Sequence, residues 1–397
     1  MKLIRDIAKI CEIEFWDTCH DKGVLIFIFF VPLIYPLLYS AVYTGEVVLD
    51  VPTISVNECG SKESREFIRK VDATADVEIV AHCNNMLQAK KLLEERKAYG
   101  IVYIPQSFSS DLQKGEQTRV GVYCDMSSML YYKDILLAVN NVSLDVNKDI
   151  KVSKYTRATT EKQKDINRTP IEYEYKAFYN TQSGFASFLI PPVLMLIIQQ
   201  TLLLGVGMTM GRCRERNKGN IIPNHPAYSS PAAIVLGKGL MFFVIYLILA
   251  LYMYVVVTYI FTLPDLTTTV RFIRFIVPYL LACISFSIVF SKIVFHREDC
   301  IMLFVFLSVP LLFISGVSWP IPSMPLFWKY VSYIFPSTFG LNGYVRITSM
   351  GCDLSELGIY YYGMWVQAFV YFTIAVFIYR RALCKRKESG KKRNDKD

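Results

Sequence analysis

The apolar and polar positions divide this chain into long apolar runs and one long polar insert. Six segments are long and apolar enough to cross a hydrocarbon core, which takes about 20 residues of helix. They lie near 23–44, 184–210, 233–261, 275–295, 300–318 and 357–379. The first run, GVLIFIFFVPLIYPLLYSAVYT, is long enough to span and lacks the small-residue cleavage site of a signal peptide. Ahead of it, Ile4, Ile7, Ala8, Cys11 and Phe15 recur at helical spacing, with Arg5, Lys9 and Glu12 on another side. Residues 1–22 therefore predict an amphipathic helix, lying on the inner membrane face or packed on the protein itself.

Between the first two spans, residues 45–183 change period. The β-rich runs VPTISV, DVEIVA, GIVYIP and TRVGVY alternate with the helical patterns SKESREFIRKV, NMLQAKKLLEERKAY and SFSSDLQKG. A longer helical stretch near 127–150 follows, then a polar segment and a strand-like IEYEYKAFYN. Alternating strands and helices predict one small α/β domain of four or more strands.

Residues 319–356 form a second interruption. Pro320, Pro322, Pro325 and Pro336 forbid one continuous helix, and the apolar pieces near 325–334 and 338–348 are too short to span. Such lengths suit a re-entrant hairpin. The expected fold is a polytopic α-helical membrane protein with six transmembrane helices. It carries an inserted extracytoplasmic α/β domain and a re-entrant helical hairpin before the last helix.

Charge sets the orientation. Only 19% of the 397 residues are charged, below the roughly 25% usual in soluble domains. Residues 45–183 hold 39 of the 77 charged side chains, 19 basic and 20 acidic, so the insert is close to neutral. Most of the net charge of +9 instead comes from the tail 380–397, where nine Lys/Arg stand against three Asp/Glu. A basic run beside a span is a topology determinant near anionic headgroups and gives no reason to expect nucleic acid. With the N-terminus inside, the pieces 1–22, 211–231, 291–299 and 380–397 carry 19 Lys/Arg, against four in 262–274 and 318–356. That bias places both termini in the cytoplasm of a multi-pass inner-membrane protein, with residues 45–183 outside.

In this topology Cys59, Cys83, Cys124 and Cys352 face outward, where a disulfide is allowed. The odd count within the insert argues against a disulfide framework, and the competing reading is of small buried hydrophobes. The insert holds no Gly-rich phosphate loop, metal-spaced His/Cys cluster or nucleophile elbow, so it reads as a binding or docking module. Gln199 and Gln200 fall mid-span and suit helix packing better than substrate contact. Pro191 and Pro192 predict a kink or the start of the second span, and His296, Arg297, Glu298 and Asp299 a solvated inner turn.

Two stretches are more specific. One is GRCRERNKGNIIPNHPAYSSPAAIVLGKGL, residues 211–240; the other is SGVSWPIPSMPLFWKYVSYIFPSTFGLNGYVRI, residues 315–347. With EFWD in the N-terminal helix, GIVYIPQSFSSDLQKG in the insert and FYN before the second span, they resemble the ABC-2 type transporter permeases. The similarity is to the six-helix exporters with a large outer domain after the first helix. Arg214, Glu215, Arg216, Gly219, Gly237 and Lys238 match that family's loop, while Asn220 replaces its usual Thr and Thr181 its usual Pro. Ser315, Gly316, Pro320, Met324, Pro325, Pro336, Thr338 and Arg346 match its outer stretch.

The resemblance implies a permease that pairs with a second copy or a close paralogue and with cytosolic ABC ATPase subunits. It further implies that the loop around Arg214, Glu215, Arg216, Gly219 and Lys238 docks the ATPase; the competing reading is that its arginines only enforce topology. A periplasmic adaptor protein and membrane lipid complete the expected partners. No G-x-x-x-x-G-K-[ST] stretch occurs, so the chain is expected to bind no cofactor and to leave ATP to the partner subunit. An ATP-driven exporter subunit is the leading expectation, with multidrug efflux among the family's uses. The alternatives are a membrane-bound transferase, for which no converging ionisable set is found, and a sensor or mechanotransmission subunit sharing an ABC ATPase.

Overall fold

The computed structural model describes residues 2–45, 47–114, 116–155, 179–180, 184–217, 219–223, 225–263 and 265–394. The chain divides into two units, residues 47–176 and the remainder. It opens with helix α1 (Lys2–Cys19). Helix α2 (Lys22–Val42) follows, and its first turn is capped by the Asp21 carboxylate, which accepts from Gly23 N at 3.1 Å and Val24 N at 3.4 Å.

Residues 47–176 form the small α/β unit. Strands β1 (Val51–Asn57), β2 (Val77–Cys83), β3 (Gly100–Ile104) and β4 (Gly121–Cys124) make one sheet in the order β2-β1-β3-β4. β1 runs parallel to β2 and β3, and β4 is antiparallel to β3. The helices are α3 (Lys62–Asp72), α4 (Met86–Glu94), α5 (Phe108–Lys114) and α6 (Met129–Tyr155). Ser61 and Asn85 start α3 and α4 by accepting from Ser64 N at 3.0 Å and Gln88 N at 2.8 Å. Val51 and Val102 face Phe67, Val71, Phe108, Ile135 and Val139 on one side; Ile54, Val56 and Ile101 face Ala89 and Ala98 on the other. Burial on both faces explains the near-continuous apolar runs of β1 and β3. Of the strand expected at 171–180, only Tyr179 and Asn180 are described, and neither is in a strand.

The other unit is a helical bundle around α7 (Phe185–Arg216), whose 32 residues run about 48 Å at 1.5 Å per residue. Pro191 and Pro192 lie in its second turn without interrupting it. The remaining helices are α8 (Pro231–Ile260), α9 (Thr269–Phe290), α10 (Arg297–Ile314), α11 (Leu326–Ser332), α12 (Pro336–Thr348) and α13 (Ile359–Asn394). Small residues set the close approaches. A Cβ on Gly207 would meet Cys300 Sγ of α10 at 2.2 Å, and one on Gly340 would meet the Tyr279 ring of α9 at 2.1 Å.

Among the described residues five helices are long and apolar enough to cross a membrane: α2, α7, α8, α9 and α13 up to Arg386. The segment expected near 300–318 folds as α10, 18 residues opening with Arg297, Glu298 and Asp299. Those charges occupy its first turn, which is why this helix stands apart from the other five.

Candidate functional site

The chain's charged motifs converge at the end of the bundle formed by α1, the C-terminus of α7 and the start of α8. α1 turns its buried edge, Asp6, Ile10, Glu14 and Thr18, toward α8. Gly237 permits the contact, because a Cβ there would lie 2.8 Å from Ile10 Cβ and 3.0 Å from Ile7 O. At the next residue, Lys238 Nζ sits 2.5 Å from Glu14 Oε1, one turn along α1 from Ile10, with only 4% and 8% of the two side chains exposed. The Tyr228 hydroxyl donates to the same Glu14 oxygen at 2.7 Å. Burial, reinforced by the Glu14 carboxylate, pushes the Tyr228 hydroxyl far above the ordinary phenol range, so it stays a donor. Ser229 Oγ adds a bond to Asp6 Oδ2 at 3.4 Å.

A second cluster joins α7 to the residues just before α2 and to the start of α10. The Asp21 carboxylate forms ion pairs with Arg212 at 3.1 Å and Arg297 at 2.9 Å. Arg297 N and Nε reach Glu215 at 3.1 and 3.4 Å. Arg216 pairs with Asp17 at 3.2 Å, both half-exposed, and Arg212 also donates to Asp17 O at 2.7 Å. Arg214 is buried and turned the other way. It donates to Lys292 O at 3.0 Å and to Val294 O, with its guanidinium 5.2 Å from the Phe295 ring centroid. The turn there is fixed by Asp299, which accepts from His296 N at 2.9 Å and Phe295 N at 3.2 Å.

The predicted docking residues therefore separate by location. Glu215 and Arg216 stay partly exposed at the end of α7. Gly219 (φ +86°) bonds back to Arg214 O at 2.8 Å, closing the helix in a conformation that L side chains rarely adopt. Arg214 and Lys238 are enclosed within this chain, so their charges support its own packing. Sequence reasoning passed over Glu14 and Tyr228 as partners of Lys238; the one available signal was EFWD and GK, two short motifs far apart in sequence.

The proline-rich stretch forms a 3₁₀ turn (Ile321–Ser323) followed by α11 and α12. Ser315 is buried and its carbonyl accepts from Asn342 Nδ2 at 2.7 Å. Gly316 (φ +92°) leaves room for Ile321, whose Cγ1 would lie 2.4 Å from a Cβ. Pro320 and Pro325 precede the 3₁₀ turn and α11, and Pro336 opens α12. Thr338 Oγ1 donates to Ser332 O at 2.6 Å, and the Arg346 guanidinium lies 4.6 Å from the Tyr360 ring centroid. Gln199 and Gln200 are buried in α7, and Gln199 Nε2 and both Gln200 amide atoms have no partner among the described residues. Cys59, Cys83, Cys124 and Cys352 are free thiols. Among the described residues no group of three or more His, Cys, Asp or Glu could hold a metal ion.

Long apolar helices around a buried central helix, with charge gathered at one end, define a polytopic helical membrane protein. The sequence model of the ABC-2 family transporter proteins matches residues 22–377, and the chain belongs to that family of transporter permeases. No curated protein matches the chain. Membership makes it a transmembrane subunit of an ABC transporter and implies an ABC ATPase partner and a lipid environment.

Proposed function

We propose that this chain is the permease subunit of an ATP-binding cassette exporter, moving its substrate out of the cytoplasm or inner leaflet by alternating access. In this reading α10 is the sixth span, residues 319–356 dip back into the membrane from outside, and both termini face the cytoplasm of the inner membrane. A second copy or close paralogue completes the pathway, an adaptor meets the outer domain, and ATP is bound and hydrolysed by the partner subunit. Residues 217–230 then face the ATPase.

The observation that carries the docking role is the pair Glu215 and Arg216. They stay partly exposed at the end of the central helix, while Glu215 also holds Arg297 at the start of α10. A partner that grips this corner pulls on α7 and α10 together. The test is purification of the full chain with its ATPase subunit. Glu215→Ala should insert normally yet lose the ATPase, since losing a docking charge pair costs about 2–5 kcal/mol of binding. Undiminished recovery of the ATPase with both Glu215→Ala and Arg216→Ala would remove the docking role.

A further inference from the structure

We infer that Glu14 is a positioning residue for the docking loop, holding residues 217–230 in place through Tyr228 and Lys238. This rests on the docking role proposed above and extends it to a helix that precedes the first span.

The argument starts from the cost of burial. Lys238 lies within the membrane unit with 4% of its side chain exposed, and a lone ammonium cannot remain charged there. Glu14 supplies the balancing carboxylate from α1. The same oxygen accepts from Tyr228, which belongs to the loop, so one carboxylate joins three segments: α1, the loop and the start of α8. Asp6 to Ser229 and Asp17 to Arg216 repeat the arrangement on either side. Four contact points of the loop region thus rest on acidic side chains of one helix.

The edge that α1 buries is mixed: Ile10 is fully enclosed and Ile7, Cys11 and Ile13 pack against the bundle beside the acids. The apolar stripe of α1 also includes Ile4 and Phe15, which remain 72% and 41% exposed, while Asp6, Glu14 and Thr18 are buried. Asp6 and Glu14 meet Ser229 and Tyr228 of the loop from the same edge that carries the apolar contact of Ile10. Directional bonds of this kind fix the position of a loop more narrowly than apolar contact does. Glu14 is itself buried and offers a partner no surface. Its influence on docking is therefore indirect, through the placement of Glu215 and Arg216 at the loop's start.

The experiment compares Glu14→Gln, Tyr228→Phe and Glu215→Ala in the full chain. Amide exchange is read in nanodiscs, and ATPase retention in the purified complex. Tyr228→Phe removes one hydroxyl and keeps the ring, so it stands in should Glu14→Gln fail to fold. Exchange across 217–230 should rise about tenfold in Tyr228→Phe, as expected for one lost buried bond, and at least as much in Glu14→Gln, which also strips Lys238 of its counter-charge. ATPase retention should fall alongside. Unchanged loop exchange would overturn the inference. So would faster exchange with full ATPase retention, provided that Glu215→Ala loses the ATPase. Full retention in all three variants would instead overturn the docking role itself.

Discussion

Glu14 and Lys238 lie 224 positions apart in sequence and 2.5 Å apart in the folded chain, both buried. A buried pair of this kind is costly to break and cheap to replace whole. Glu14→Leu or Lys238→Met alone leaves one uncompensated charge and should lower stability by about 3–5 kcal/mol. The double variant Glu14→Leu/Lys238→Met should recover most of that loss. Thermal or denaturant unfolding in detergent measures the cycle; strictly additive losses would show that the two side chains do not interact.

The contact of α7 with α10 depends on an absent side chain at Gly207. Gly207→Ala would place its Cβ against Cys300 Sγ, and overpacking of this kind costs about 1–3 kcal/mol. Adding Cys300→Ala removes the obstructing sulfur and should restore much of the stability. A melting temperature that falls further in the double variant would contradict the packing described.

The secondary structure was legible because each period has one physical cause. VPTISV and GIVYIP became β1 and β3, whose two buried faces favour unbroken β-branched runs. SKESREFIRKV became α3 with its serine cap. The site was legible only in part. Spacing picked out Ile4, Ile7, Ala8, Cys11 and Phe15 as the apolar face of α1; Ile7 and Cys11 pack against the bundle beside the buried Asp6, Ile10, Glu14 and Thr18, whereas Ile4, Ala8 and Phe15 stay exposed. Periodicity measures hydrophobicity along one segment and carries no information about a lysine buried in a distant helix. For the same reason Arg214 looked like its neighbours Arg212 and Arg216 in sequence, yet only Arg214 turns inward to Lys292 and Val294 carbonyls.

Arg214 should therefore behave differently from Arg216. Arg214→Ala leaves the buried Val294 carbonyl without its donor, besides the part-buried Lys292 carbonyl, and should destabilise by about 1–3 kcal/mol. Arg216→Ala removes an exposed pair worth at most about 1 kcal/mol and should leave folding intact. Comparing yield and melting temperature of the two variants checks this, and equal losses would contradict it.

Orientation is open to a labelling experiment. A membrane-impermeant thiol reagent added outside cells should reach cysteines engineered near Asp265 and Ser355. Cysteines at Asn217 and Lys391 should react only after the membrane is opened. Reaction at Asn217 from outside would reverse the proposed topology.

The most direct test of the docking proposal is a photo-crosslinking residue placed at Asn217, beside Glu215 and Arg216, in the full chain with its ATPase subunit. Irradiation should join the two polypeptides at position 217, with no product from the same residue placed at Ser355. An ATPase adduct from Ser355 and none from Asn217 would contradict both the orientation and the docking role.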